Sequence, residues 1–133
     1  MRLLLDTHIF LWYITGDSRI SNAMRQAIEN SEAAFLSVVS LWEATIKYHL
    51  GKLPLPEEPH PWLGLQREEH GIQSLPLYEG AVVRLGGLPL HHRDPFDRIL
   101  VCQALEHDLE IVSVDSILSK YPAKLLEFVR PRA

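Results

Sequence analysis

Short apolar runs separated by segments with helical patterning recur along this chain, and this alternation restricts its fold more than any other feature. Four runs are predicted to form buried strands: residues 2–6, 33–37, 72–75 and 111–114. A further edge strand is predicted over residues 126–129. Strands that alternate with helices favour a parallel or mostly parallel sheet covered on both faces. The chain is therefore predicted to be an α/β protein with a central sheet of four to five strands.

The intervening segments carry helix start and stop signals. The clearest start is Asp94-Pro95, because Asp suits the N-cap and Pro suits the first helical position. Ser21 is a second predicted cap, and Gly16 and Gly51 follow predicted helix ends. The predicted helices cover residues 8–14, 21–30, 39–50, 60–70, 78–86, 94–107 and 116–119.

Length and composition fit one domain, over residues 1–133, of a soluble protein. Thirteen basic against seventeen acidic residues give a net charge of −4, so any nucleic-acid contact needs a local basic patch. The single cysteine, Cys102, cannot form an intrachain disulfide, which favours a reducing cytoplasm. No apolar run approaches the ~18 residues of a membrane span, and the N-terminal run is too short for a signal peptide. We therefore expect a cytoplasmic protein with no membrane contact.

Five acidic side chains stand where a predicted buried segment meets a loop or a helix. Asp6 and Asp115 follow predicted strands, and Glu43, Asp94 and Asp97 lie near predicted helix starts. Ligands of open α/β sheets bind beyond the carboxyl ends of the strands. If the fold gathers these carboxylates, an oxygen-only site of this kind selects Mg²⁺ or Mn²⁺ and suits phosphoryl chemistry.

Each acid also has an ordinary structural explanation that the sequence leaves open. Asp6 could be a solvated loop residue, and Ser40 with Glu43 fits a capping box. Asp94 is well explained as an N-cap, and Asp115 could cap the short helix that follows it. Independent caps would not need to converge, so convergence in space would favour a functional site.

Four segments in this order resemble a PIN-domain ribonuclease of the VapC toxin type, from type II toxin-antitoxin systems. The resemblance covers essentially the whole chain. The segments are Leu4-Leu5-Asp6-Thr7, Leu36-Ser37-Val38-Val39-Ser40-Leu41-Trp42-Glu43, His92-Arg93-Asp94-Pro95-Phe96-Asp97-Arg98 and Val112-Ser113-Val114-Asp115.

This resemblance implies a three-layer α/β/α domain that cleaves RNA endonucleolytically with Mg²⁺ or Mn²⁺. It also implies a VapB-like antitoxin that blocks the site, and a homodimer. The catalytic acids that it implies are Asp6, Glu43, Asp97 and Asp115. Asp94 is added to these four as a candidate metal ligand that could also be a cap.

Side chains beside these acids are candidates for supporting roles. Three hydroxyls could hold a carboxylate or a metal-bound water in place: Thr7, Ser37 and Ser113. For Ser37, backbone capping is the favoured alternative. Three basic side chains could contact the phosphates of RNA, or could be solvated loop residues: His92, Arg93 and Arg98.

Two other function classes compete with the nuclease. A receiver-like signalling domain would need a phosphoacceptor Asp after a central strand, but Ser37 and Leu75 end the second and third predicted strands. A non-catalytic interaction module, in which the acids are only caps, remains open. Aromatic residues in excess of core needs, such as Trp12 and Trp42, could form a groove for a partner segment or a dimer surface.

Overall fold

The computed structural model describes residues 1–124 and shows a four-stranded parallel sheet. The strand order is β3-β2-β1-β4. The strands are β1 Arg2–Leu5, β2 Ala33–Ser37, β3 Gln73–Leu75 and β4 Glu110–Val112. The predicted parallel sheet is therefore confirmed with four strands, and the edge strand predicted over residues 126–129 lies outside the described residues.

Within residues 1–124, six α-helices and two short 3₁₀ turns connect and follow these strands. The helices are α1 Thr7–Thr15, α2 Asn22–Glu29, α3 Val38–His49, α4 Pro59–Glu69, α5 Glu79–Arg84 and α6 Pro95–His107. The 3₁₀ turns cover Leu85–Gly87 and Ser116–Lys120. Ser21 caps α2 by accepting a hydrogen bond from the Met24 amide at 3.1 Å, and Gly16 ends α1 at a φ of 68°. The helix predicted over residues 78–86 is in fact α5 followed by a 3₁₀ turn.

Both faces of the sheet are covered by helices. Consecutive residues of a strand point to opposite faces. Leu3 and Leu5 of the central strand pack in a cluster with Phe10 of α1, whereas Leu4 packs in a second cluster with Val101 of α6. All three leucines are fully buried. Each cluster joins one face of the sheet to helices, which form the two outer layers, so the predicted three-layer α/β/α architecture is confirmed.

The strand order brings residues that are distant in sequence to one edge of the sheet. Strand β1 pairs with β2 on one side and with β4 on the other. Leu5 pairs with Val112 in register, and the Asp6 amide donates to the Val112 carbonyl oxygen at 3.0 Å. The carboxyl ends of β1 and β4 therefore lie side by side, and the residues that follow them share this edge.

Cys102 is fully buried inside α6, and burial raises the pKa of its thiol. Among residues 1–124, no helix combines the length and the apolar character that crossing a membrane requires.

Candidate active site

All five acids singled out in the sequence line one cavity of about 320 Å³ at the carboxyl edge of the sheet. They come from four places in the chain. Asp6 follows β1, Glu43 lies within α3, Asp94 caps α6 with Asp97 in its first turn, and Asp115 lies beyond β4. The fold thus gathers acids that are separated by up to 109 positions in the sequence (115 − 6).

Asp6 is a buried carboxylate held by a hydroxyl. Its residue is 8% exposed, and the Ser113 hydroxyl donates to its Oδ2 at 2.6 Å. Burial raises the pKa of Asp6, the negative charge of Glu43 raises it further, and the Ser113 hydrogen bond and the charge of His8 partly oppose the shift. The alternative in which Asp6 is a solvated loop residue is therefore wrong.

Glu43 lies in the middle of α3 rather than in its first turn. Ser37, the last residue of β2, is the N-cap, and its hydroxyl accepts from the Val39 amide at 3.0 Å. Ser40 is already inside the helix, so the capping-box alternative for Ser40 and Glu43 is wrong. The capping function favoured for Ser37 is confirmed.

The Glu43 carboxylate is fixed from two sides. The Thr7 hydroxyl donates to Oε1 at 2.7 Å, and Lys47, one turn later on α3, places Nζ 2.5 Å from Oε2. Burial alone would lower the pKa of Lys47, but the hydrogen bond and charge of Glu43, with the charges of Asp94 and Asp97, raise it. Lys47 therefore remains protonated and offsets one of the negative charges in the cavity.

Asp94 caps α6, as the sequence predicts. Its Oδ1 accepts from the amides of Phe96 at 2.8 Å and Asp97 at 3.3 Å. The residue nevertheless lines the acidic cavity, because the N-terminus of α6 faces this cavity. Capping and membership of the acidic cluster are therefore compatible at this position.

Asp97 is a second carboxyl group whose ionisation the cluster disfavours. Burial raises its pKa to about 7, and the charges of Asp6, Asp94 and Glu43 add to the shift, while His92 opposes it. A carboxyl group with this pKa is only partly ionised at neutral pH. A cation bound beside it would favour the ionised form, so the cavity is electrostatically suited to a cation.

His92 lies between two of the acids. Its Nε2 is 2.8 Å from Asp115 Oδ2 and 3.1 Å from Asp97 Oδ2, and the Asp94 amide donates to its Nδ1 at 3.0 Å. Because Nδ1 accepts this bond, the proton of the neutral ring lies on Nε2 and is donated to the carboxylates. Asp115 also caps the following turn through the Ile117 amide at 3.0 Å.

Ligand atoms from this group could hold a metal ion. One atom each from His92, Asp97 and Asp115 lie within 4.8 Å of one another. The surrounding carboxylates of Asp6 and Glu43 fit a hard divalent cation, which prefers oxygen ligands. The imidazole could join them only by moving its proton to Nδ1, which would break the bond from the Asp94 amide.

The three candidate supporting hydroxyls differ in what they contact. Thr7 and Ser113 each donate to one of the acids, as described above. Ser37 donates to Gln103 Oε1 at 2.5 Å, and the Gln103 Nε2 donates to the Pro76 carbonyl oxygen at 3.2 Å. Sequence reasoning missed this buried glutamine, because a lone polar residue in an apolar helix gives no sign of its partner.

The three candidate RNA contacts also occupy different environments. His92 lies in the acidic cluster, and the Arg98 guanidinium donates to the carbonyl oxygens of Pro89 at 2.9 Å and Leu88 at 3.4 Å. Arg93 is exposed, and its side chain makes no hydrogen bond or ion pair with any other residue of the described chain. Their contact with RNA stays a prediction for all three.

One wall of the cavity was not predicted from the sequence. It consists of His8, Trp12 and Arg19. The Arg19 guanidinium lies 4.6 Å from the centroid of the Trp12 ring and pairs with Asp17 at 2.8 Å and 3.1 Å. The spacing of His8 and Trp12 on one face of α1 was a usable signal, but the loop that carries Arg19 gave none.

Comparison with known proteins agrees with this geometry. The sequence model of the PIN domain matches residues 3–124. The chain belongs to the PIN domain family. This PIN domain is 27% identical over 120 residues to Ribonuclease VapC22 from Mycobacterium tuberculosis. The alignment covers 90% of this chain and 91% of that relative.

Solved structures share the fold of this PIN domain. VapBC2 from Rickettsia felis, bound to a DNA fragment from its promoter, aligns with a TM-score of 0.70 at 16% identity, over 96% of this chain and 98% of that one. DNA-bound VapBC from Salmonella typhimurium aligns with a TM-score of 0.66 at 18% identity, over 96% and 97%. At these identities the likeness concerns the fold, and the predicted PIN-like architecture is confirmed.

Proposed function

We propose that this PIN domain is a divalent-metal-dependent endoribonuclease and the toxin of a VapBC-type toxin-antitoxin pair. The observation that carries the proposal is the convergence of five acids on one cavity in a chain of this family. The relative named as a ribonuclease, aligned over 90% of the chain, supports RNA as the substrate. The VapBC complexes among the structural neighbours support a VapB-like antitoxin as the partner.

The proposed cation is Mg²⁺ or Mn²⁺, held by Asp6, Glu43, Asp97 and Asp115, with Asp94 at the same rim. Carboxylate oxygens are the ligands that both ions prefer, and a shallow site leaves room for water and phosphate oxygens. When bound, such an ion would polarise a phosphodiester and make a nearby water more acidic. Hydrolysis would then form a bond from the water oxygen to phosphorus and break the bond to the sugar oxygen, which would leave with a proton from the water.

The remaining side chains prepare the acids for this role. Ser113 and Thr7 donate to Asp6 and Glu43, so both carboxylates are fixed before any ligand arrives. Without a cation the cluster repels phosphate, since like charges ~4 Å apart cost about 4 kcal/mol at an effective dielectric of ~20. Binding of RNA and binding of the cation are therefore expected to depend on each other.

An exposed apolar groove between α3, α5 and the start of α6 supports the proposal of protein partners. This groove has a volume of about 310 Å³, and its wall includes Val39, Trp42, Val82 and Phe96. Trp42 is 59% exposed there and packs edge-on against Phe96 at 5.1 Å between ring centroids. Such a surface is suited to a second copy of the chain or to the antitoxin. We also propose that the toxin and its antitoxin are cytoplasmic.

The decisive experiment incubates purified protein with structured RNA, with Mn²⁺ and with a chelator. We expect internal cleavage with Mn²⁺, none with the chelator, and at least a hundredfold slower cleavage by Asp97→Asn. Asp108→Asn is the matched control, because Asp108 is 88% exposed and lies outside the cavity. No cleavage under any condition would favour the non-catalytic interaction module, and cleavage unaffected by Asp97→Asn would remove Asp97 from the mechanism.

A further inference from the structure

A second cavity adjoins the acidic one and shares a wall with it. Its volume is about 420 Å³, and it lies between α1, residues 53–56 and the start of α4. His8, Trp12 and Arg19 line both cavities. A ligand that occupies the acidic cavity could therefore continue into the second one without leaving the protein surface.

The second cavity has flat, apolar walls. Trp12 and Trp62 are both half-buried, and Pro54 and Pro56 also line the cavity. The two indoles pack against the main core cluster, as does Leu55. These walls are therefore fixed by core packing, and their exposed faces are available to a ligand. We name this cavity the tryptophan pocket.

Its boundary with the acidic cavity carries a positive charge held in a fixed plane. Arg19 stacks over the Trp12 ring at 4.6 Å, and two hydrogen bonds to Asp17 restrain the rotation of its guanidinium. Flat aromatic faces and Arg guanidinium planes are the groups on which proteins stack unpaired RNA bases. The volume of the pocket lies in the range of small-molecule sites.

We propose that the tryptophan pocket binds an unpaired nucleobase of the RNA strand whose phosphate lies in the acidic cavity. This inference rests on the proposed function. It adds a preference for single-stranded segments, because a paired base would have to leave its duplex to enter the pocket. Stacking on indole faces tolerates all four bases, so the pocket selects unpaired RNA more than it selects a sequence.

A peptide segment is the other occupant that such a cavity could accept. RNA is favoured because the pocket opens into the acidic cavity through the wall formed by His8, Trp12 and Arg19. A nucleotide uses both cavities, with its base in the tryptophan pocket and its phosphate in the acidic cavity. An apolar peptide would bury its side chains in the pocket and would leave the acidic cavity unused.

The test measures RNA affinity in an Asp97→Asn background, which keeps the RNA intact, by fluorescence anisotropy of a short unstructured oligonucleotide with Mn²⁺. We expect Trp62→Leu to weaken binding about tenfold, and Trp62→Phe to stay within about threefold because it keeps an aromatic face. Tyr78→Leu is the control: it removes an exposed aromatic ring that lines neither cavity nor the apolar partner groove, and affinity should not change. The same RNA annealed to its complement should bind more weakly than the single strand.

A second measurement needs no change in the protein. A single abasic position moved along the oligonucleotide should weaken binding about tenfold at one or two positions next to the cleaved bond, and that loss should vanish in Trp62→Leu. If Trp62→Leu does not fold, the abasic series still tests the proposal, because a loss of affinity at one or two positions supports it and no loss at any position contradicts it.

Two results would overturn the inference: Trp62→Leu binds RNA as tightly as its parent, or no abasic position changes the affinity. If Trp62→Leu keeps its RNA affinity and also loses binding of the antitoxin, the pocket belongs to a protein segment. If the wild-type protein neither binds nor cleaves RNA with Mn²⁺, the proposed ribonuclease itself fails and the inference falls with it.

Discussion

Replacing Asp97 by Asn should make the metal-free protein more stable, and increasingly so as the pH rises. The pKa of Asp97 is raised from 3.8 to about 7 by burial and by the charges of Asp6, Asp94 and Glu43. A carboxyl group with a raised pKa binds its proton more tightly in the folded state than in the unfolded state. Folding stability is therefore lost as the pH rises from the unfolded value to the folded one.

The magnitude follows from the size of this shift. Each unit of pKa difference corresponds to about 1.4 kcal/mol, and partial screening by solvent reduces the effect of a group that is not fully buried. We expect the stability gained by Asp97→Asn to grow by about 2 kcal/mol between pH 5 and pH 8. Above pH 8 the difference should become constant, because the group is then ionised in both states.

Urea unfolding in the presence of a chelator measures this directly, at pH 5, 6, 7 and 8 for each protein. Asp108→Asn serves as the control, because Asp108 is exposed and its replacement should give the same small difference at every pH. Adding Mn²⁺ at pH 8 should reverse the order, since a ligand stabilises only the form that binds it. The reasoning is refuted if the Asp97→Asn difference is flat with pH.

Two further substitutions test how the acids are held, and a third tests the core beneath them. Thr7→Val removes the donor to Oε1 of the buried Glu43 carboxylate and leaves only Lys47 on Oε2, so it should cost about 1–3 kcal/mol in thermal unfolding and weaken Mn²⁺ binding. Ser113→Ala removes the hydroxyl that lowers the pKa of Asp6, so Mn²⁺ affinity measured by calorimetry should fall more at pH 6 than at pH 8. Leu4→Ala leaves a cavity in the core and should lower the free energy of unfolding by about 2–5 kcal/mol. The number of Mn²⁺ ions that the folded variant binds should equal that of the wild type.

Much of the fold could be predicted because local signals and tertiary structure agree. The apolar run Leu3-Leu4-Leu5 predicts a strand buried on both faces, and this strand is one of the two inner strands of the sheet. Asp94-Pro95 predicts the start of α6, because capping chemistry depends on adjacent residues only. The strand order β3-β2-β1-β4 was not readable, since pairing between distant segments leaves no local sign.

The candidate site was readable in its acids but not in their partners. Hydrogen bonds between Asp6 and Ser113, and between Ser37 and Gln103, join residues 107 and 66 positions apart. Ser40 was open to a capping interpretation, because the sequence does not show that β2 runs into α3 without a loop. That junction moves the cap to Ser37.

The insertion of His92 between two acids depends on the loop before α6. Sequence could identify it only as a basic neighbour of Asp94. Its predicted contact with RNA stays open, as does the assignment of roles to the acids.

Binding of Mn²⁺ followed by electron paramagnetic resonance tests the central claim most directly. The claim is that distant acids form one cavity whose negative charge is balanced by a divalent cation. The account predicts that wild-type protein and Asp108→Asn remove Mn²⁺ from solution equally, while Asp6→Asn and Asp97→Asn each bind at least about tenfold more weakly, a difference of about 1.4 kcal/mol. Equal binding by all four proteins, or no binding by the wild type, would contradict it.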